Sequence, residues 1–182
     1  SSAADFSSMS EKLLKQVIHG IGLNNDANIA DGIAVGSNAT DRALLDFLIN
    51  RNLLDFDTNT IAEKEQFNSA KKYASVTTKS GETYIKGAPE FILDDCHFYL
   101  DKDENKTAFT AADKDKFSAI SLEQANRSMR LLAILKKEGA DKILIAVVCI
   151  RDNVRDSIKQ TVETMNKAGV QVVMVTGDRK ET

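Results

Sequence analysis

With 182 residues and a mass of 20.0 kDa, the chain is sized for one domain, or for one domain and part of a second. Apolar residues at 42% and charged residues at 28% exclude a disordered chain, and 24 basic residues against 27 acidic ones leave no basic stripe for nucleic acid. No apolar run approaches the roughly 18 residues that a membrane-spanning helix needs, and two cysteines, Cys96 and Cys149, with two histidines fit reduced cytosolic thiols rather than a disulfide framework or a zinc site.

In chain order, Ser8-Met9-Ser10-Glu11 has capping-box spacing, and Leu13, Leu14, Val17 and Ile18 then give one apolar helical face that Gly20 is expected to end. Thr40 is the expected N-cap of a second helix through Ala43, Leu44, Leu45, Phe47 and Leu48. After a polar loop, Tyr73–Thr78 and Glu82–Lys86 flank Lys79-Ser80-Gly81 and read as a β-hairpin. Pro89 opens a short helix through Phe91, Ile92 and Leu93. The window Asp101–Thr107 reads as a solvated loop, and Thr110 with Asp113 starts a helix carrying Phe117, Ile120 and Leu122. Met129–Leu135 and Lys142–Ile150 form a second hairpin joined by Lys137–Asp141.

The last stretch differs. Val154, Ile158, Val162 and Met165 recur at helical spacing, Gly169 follows as a C′ residue, and Val170–Val175 reads as a buried parallel strand. The fold class is therefore α/β (α+β): a mixed, largely antiparallel sheet with peripheral helices over residues 1–150, then a partial doubly wound βα segment over residues 151–182. The chain opens at Ser1 without an initiating Met and stops after Gly177-Asp178-Arg179-Lys180-Glu181, which reads as a piece of a longer protein. An apolar strand without neighbours is an association template, so self-association through residues 151–182 is expected, with exchange between copies about Asp152-Asn153 preferred.

Several motifs read as structural. Gly20-Ile21-Gly22 lacks the third glycine and the preceding strand of a dinucleotide fingerprint. Asp55-Phe56-Asp57 resembles the paired aspartates of haloacid-dehalogenase-type phosphatases, but Asn59 stands where Thr or Val belongs and the preceding run is helical. His19 and His97 have no partner at metal-ligand spacing. Other signals bear two readings. Lys86 closes a strand before Gly87-Ala88-Pro89-Glu90 and is either an exposed lysine or a group projecting into a ligand site, where burial would disfavour its ammonium; Gly87 there lets a ligand approach the backbone. Phe67, five residues before Lys72, is either core or a face for a purine ring, with the ammonium suited to phosphate. Arg130 is an edge charge or an anion clamp. Thr176-Gly177-Asp178 follows an apolar strand, the kind of turn where doubly wound folds bind phosphate and Mg²⁺.

Taken in order, Asn38–Leu45, Phe67-Asn68-Ser69, Lys86-Gly87-Ala88-Pro89-Glu90, Arg130-Leu131-Leu132-Ala133, Arg151–Arg155 and Val175-Thr176-Gly177-Asp178 resemble the successive motifs of P-type cation-transporting ATPases, with the calcium-pump branch the most similar. The resemblance runs from about residue 20 to the end, and its most specific parts are the lysine-glycine-alanine-proline-glutamate string and the threonine-glycine-aspartate turn.

The resemblance implies that adenine stacks on Phe67, that Asp41 takes the adenine amino group, that Lys72, Lys86 and Gly87 line the pocket, and that Arg130 reaches the phosphates of ATP. It further implies that Thr176, Gly177 and Asp178 hold the transferred phosphoryl and Mg²⁺, and that Asp152 and Arg155 form the hinge to the phosphorylation domain. By the same resemblance, residues 1–150 are the nucleotide-binding domain, residues 151–182 part of the phosphorylation domain, and the partners are the phosphorylation, actuator and transmembrane domains of one pump on the cytoplasmic side of a membrane. Three departures weaken particular contacts: Asp41 is one methylene shorter than the usual Glu, Ser69 replaces a phosphate-contacting arginine, and Asn153-Val154 replaces the hinge proline pair. The family's nucleophile string, aspartate-lysine-threonine-glycine-threonine, does not occur in the sequence, so this chain is expected to bind nucleotide without turning it over and to hold no catalytic residue or metal ligand of its own. Two other readings stand beside this one: a free-standing adenine-nucleotide-binding module, and a soluble phosphatase using Asp55 or Asp57.

Overall fold

The computed structural model describes residues 9–101, 103–151, 157–173 and 175. Helix α1 (Glu11–Gly22) starts where the Ser10 side chain accepts the amide N–H of Leu13 at 3.1 Å, so the cap is Ser10 and not Ser8. Leu13, Val17, Ile18 and Ile21 are its buried stripe. The helix does not end at Gly20. A methyl on Gly20 would collide with Cγ2 of Ile134, and one on Gly22 would lie 2.5 Å from the Phe56 ring, so both glycines serve close packing.

A small exposed hairpin follows, β1 (Asn28–Ala30) and β2 (Ile33–Val35), turned by Asp31-Gly32 with both residues at positive φ. Helix α2 (Ala39–Asn50) is capped by Asn38, whose side chain accepts the amides of Thr40 and Asp41. Thr40 is thereby displaced from the capping role expected of it, because Asn38 reaches two free amides where the helix begins.

The remaining strands make one seven-stranded sheet in the order β3-β4-β5-β8-β9-β6-β7. They are β3 (Ile61–Asn68), β4 (Tyr73–Thr78), β5 (Thr83–Gly87), β6 (Phe98–Leu100), β7 (Lys106–Ala108), β8 (Arg130–Glu138) and β9 (Asp141–Ile150). All neighbours are antiparallel except β6 and β9. Both expected hairpins form, and the β8–β9 turn is tighter than expected, with Glu138 paired to Asp141 and Gly139 at φ 60. The window expected to be a loop from Asp101 to Thr107 is in part a strand, since Lys106 and Thr107 pair with Leu100 and Tyr99. Only Asp101 through Asn105 make the turn, closed by Asp101 accepting the amides of Asp103 and Asn105.

Strand alternation sorts the core into two layers. Tyr84, Ile134 and Ile145 meet α1 and α2 through Leu13, Val17, Ile21, Leu44 and Leu48. Ile85, Ala133 and Leu135 face the other way, against α3 (Pro89–Ile92), Leu93 and Cys96, with Phe117 of α4 (Ala111–Asn126) packed alongside. Pro89 occupies the first turn of α3, and Thr110 and Asp113 form the expected capping box of α4. The terminal helix α5 (Ser157–Lys167) is present and Gly169 follows it at φ 78. Residues 170–173 and 175 do not form the buried strand expected of them: Val170, Val172, Val173 and Val175 are 45–93% exposed. A parallel strand needs neighbours on both edges and cover on both faces, and no described strand pairs with this run.

Two outcomes follow from α1. Gly20→Ala gains helix propensity, yet the stiff, fully buried Ile134 cannot yield, so a net loss of about 1–2 kcal/mol is expected in urea unfolding. His19 lies edge-on to Tyr84 at 6.0 Å. Burial lowers its pKa, Lys15 adds to this, and Glu82 and Asp55 oppose it. The folded state thus favours the neutral ring, so the stability is complete above the ordinary value of 6.5 and declines as pH falls below it. His19→Gln should show a smaller drop in urea midpoint between about pH 7.5 and about pH 5.5 than the parent chain.

Candidate functional site

At the end of the sheet where β5 stops and β4 and β8 begin, a cleft of about 680 Å³ collects Asp41, Phe67, Lys86, Gly87 and Arg130. Its floor is an ion pair. Lys86 Nζ lies 2.5 Å from Asp41 Oδ1, and each side chain is only 6% exposed. The alternation of β5 puts Lys86 on the same face as Tyr84, between Ala74 of β4 and Ile134 of β8, so its ammonium points toward the first turn of α2. Asp41 occupies that turn, where a carboxylate is favoured by the helix dipole. Its second oxygen accepts the amide of Asp26 at 3.0 Å, and its backbone carbonyl accepts Asn25 Nδ2 at 3.0 Å. Lys64 pairs with Asp26 at 2.8 Å, so each of the two neighbouring carboxylates, Asp41 and Asp26, has its own lysine. Desolvation holds the Lys86 ammonium below the ordinary lysine range, against the attraction of Asp41. The residue is therefore buried and paired, not the exposed lysine of the plainer sequence reading.

Phe67, at the end of edge strand β3, is 54% exposed and contributes to the lining. Arg130 begins β8, and its Nη1 donates to Thr40 Oγ1 at 2.9 Å, tying β8 to α2 across the cleft. Gly87 lines the cleft, but its lack of a side chain is required by the chain itself: a Cβ would lie 2.6 Å from the Lys72 carbonyl oxygen and 2.7 Å from Tyr73 Cβ. Lys72 is not in the lining. It sits at φ 61, with its ammonium 6.0 Å from the centre of the Phe91 ring.

Asp152, Arg155, Thr176, Gly177 and Asp178 lie outside the described residues. Asp55 and Asp57 are absent from the cleft lining; Asp57 accepts the amide of Asn59 and caps a short 3₁₀ turn. Among the described residues no group of three or more His, Cys, Asp or Glu is placed to hold a metal ion. The sequence reading passed over Thr40 as a partner for Arg130, and over the face of α4 that lines the cleft from Lys114 to Ala125. The signals were present: Asn38 is the better cap two residues before Thr40, and residues 114, 117, 118, 121 and 125 share one helical face.

A mixed, mainly antiparallel sheet with a polar-floored cleft at its strand ends defines a cytoplasmic domain of the P-type ATPases: the family model "P-type ATPase, cytoplasmic domain N" matches residues 14–157, and the chain belongs to that family. It is 30% identical to calcium-transporting ATPase 10, plasma membrane-type, of Arabidopsis thaliana, over 91% of this chain and 18% of that protein. It is 32% identical to probable calcium-transporting ATPase 8, plasma membrane-type, of Oryza sativa subsp. japonica, over 96% of this chain and 19% of that one. Calcium-transporting ATPase 1 of Yarrowia lipolytica is 28% identical, over 87% and 19%. The chain spans about a fifth of the length of these relatives.

Removing one partner from the floor pair leaves a buried charge alone. Asp41→Ala should cost about 3–5 kcal/mol in urea unfolding, whereas Asp41→Leu with Lys86→Met should recover most of that stability.

Proposed function

We propose that the chain is the ATP-binding domain of a calcium-transporting P-type pump, the part that presents ATP to an aspartate in a neighbouring domain. The observation carrying this reading is that one cleft gathers Asp41, Phe67, Lys86, Gly87 and Arg130, which come from four separate elements. The exposed ring of Phe67 offers a stacking face to adenine. The Asp41 carboxylate uses two of its roughly four acceptor positions internally and keeps the rest for the adenine amino group. Lys86 supplies positive charge at the floor, and Lys72 acts from outside the lining. Arg130 spends one donor on Thr40 and directs its remaining N–H groups at phosphate.

In the same proposal, residues 1–150 bind nucleotide, Asp152 and Arg155 serve as hinge, and residues 151–182 belong to the phosphorylation domain, whose Thr176-Gly177-Asp178 turn meets the phosphoryl group and Mg²⁺. The nucleophile, the actuator and the membrane helices come from the rest of a longer chain on the cytoplasmic side of a membrane. Calcium as the transported ion rests on the relatives' names. Lacking the nucleophile string, the chain alone binds ATP and does not hydrolyse it.

Stacking of a base on one aromatic ring is worth about 1–3 kcal/mol, so Phe67→Ala should weaken ATP binding between about five- and a hundredfold in titration calorimetry. The urea midpoint should stay unchanged, because the ring is half exposed. Equal ATP affinity in the two proteins removes the assignment.

A further inference from the structure

Arg130 does not stand alone at its end of the cleft. Asn38, the capping residue of α2, lines the same space and is exposed. Its side-chain oxygen accepts the amides of Thr40 at 3.0 Å and Asp41 at 3.3 Å. A carboxamide is planar, so an oxygen fixed on the helix leaves the nitrogen and its two N–H donors directed away from it. Among the described residues no group accepts from that nitrogen.

Thr40 couples this donor to the arginine. Its amide is held by Asn38 and its hydroxyl accepts Arg130 Nη1 at 2.9 Å, so carboxamide and guanidinium flank one residue. Asp41, the acid next in the chain, is turned to the floor, where Lys86 and the Asp26 amide engage its two oxygens. The Thr40 and Asp41 amides are spent on the cap, which leaves the carboxamide nitrogen as the side-chain donor that this turn can offer an anion. Phosphate oxygens commonly take a charged fork and a neutral amide donor together.

We propose that Asn38 is a second phosphate-binding residue of the cleft, with its Nδ2 donating to the phosphate chain of the nucleotide that Arg130 also meets. The inference rests on the ATP-binding reading above and deepens it: the cap of α2 makes the cleft selective for the phosphorylated nucleotide over the nucleoside.

The two ends of the carboxamide have different tasks, so substitutions separate them. Asn38→Asp keeps a capping oxygen and replaces the donor with an anion. In titration calorimetry of the 182-residue chain, its ATP affinity should fall about tenfold and its adenosine affinity should not change. Its urea midpoint should not fall, because Asp caps as well as Asn and a carboxylate is favoured at a helix start. Asn38→Ser keeps a cap without the amide donor or a new charge, and should weaken ATP roughly threefold. ATP affinity unchanged in both variants, or ATP and adenosine weakened equally, overturns the proposal. Weakening by Asn38→Asp alone shows charge repulsion and overturns the hydrogen bond. Arg130→Ala separates this inference from the reading beneath it. If Arg130→Ala weakens ATP and the Asn38 variants do not, only the role of Asn38 is lost. If none of the three affects ATP, the placing of phosphates at this end of the cleft is lost with it.

Discussion

The ammonium of Lys86 and the carboxylate of Asp41 meet 2.5 Å apart in a place where water barely reaches, and the geometry of the cleft depends on that meeting. Taking two charges out of water costs several kcal/mol each, so the pair is poorly explained as a net stabiliser. Its effect is positional. It ties the end of β5 to the first turn of α2, two elements separated by 45 positions in the chain. Because Asp41 also accepts the Asp26 amide and holds Asn25 through its carbonyl, the loop after α1 is fastened to the same point. Thr40, one residue before Asp41, is thereby set where Arg130 of β8 can donate to it.

The sheet supplies the rigid frame for this arrangement. Its alternation sends Tyr84 and Lys86 to one layer and Ile85 to the other, so the cleft at the strand ends touches both layers. One wall is α2, fixed by apolar burial of Leu44 and Leu48, and another is α4, which packs on β8 and leads directly into it. The edge strand β3 carries Glu63, Lys64 and Glu65 and has two register shifts against β4, features that discourage pairing with other strands. It can therefore end in an exposed Phe67 beside the cleft without presenting a long flat edge.

Elements with strong local chemistry were legible in the sequence. Both central hairpins, the proline-led α3 and the Thr110–Asp113 capping box follow from residues a few positions apart. β3 was not legible, because Ala62-Glu63-Lys64-Glu65-Gln66 has the composition of a solvated loop and becomes a strand only by pairing with β4. β6 and β7 were hidden for a related reason: three-residue strands carry almost no periodicity, and β6 owes its place to a parallel partner more than forty positions away. Helix ends misled where a glycine served packing and where two polar residues competed as caps, as at Gly20 and at Asn38 with Thr40. At the site, motif resemblance named five residues that share the cleft, but it could not show that Lys86 is buried against Asp41 or that Gly87 is required by Lys72 and Tyr73.

The pairing of β5 with β8 also bears on how the cleft comes into being. The β4–β5 and β8–β9 hairpins close across short turns, on the order of microseconds for isolated hairpins. Joining them sets Gly87 against Ala133 and encloses all of α3, β6, β7 and α4 in one loop, so the chain must lose the entropy of a long closure before any contact rewards it. Part of what bounds the cleft is brought together by that closure: Lys86 arrives with one hairpin, Arg130 with the other, and α4 within the loop between them, while Asp41 and Phe67 come from α2 and β3 outside it. A partly assembled chain can thus hold both hairpins and still lack a binding site, so gain of the cleft reports on the closure of that long loop.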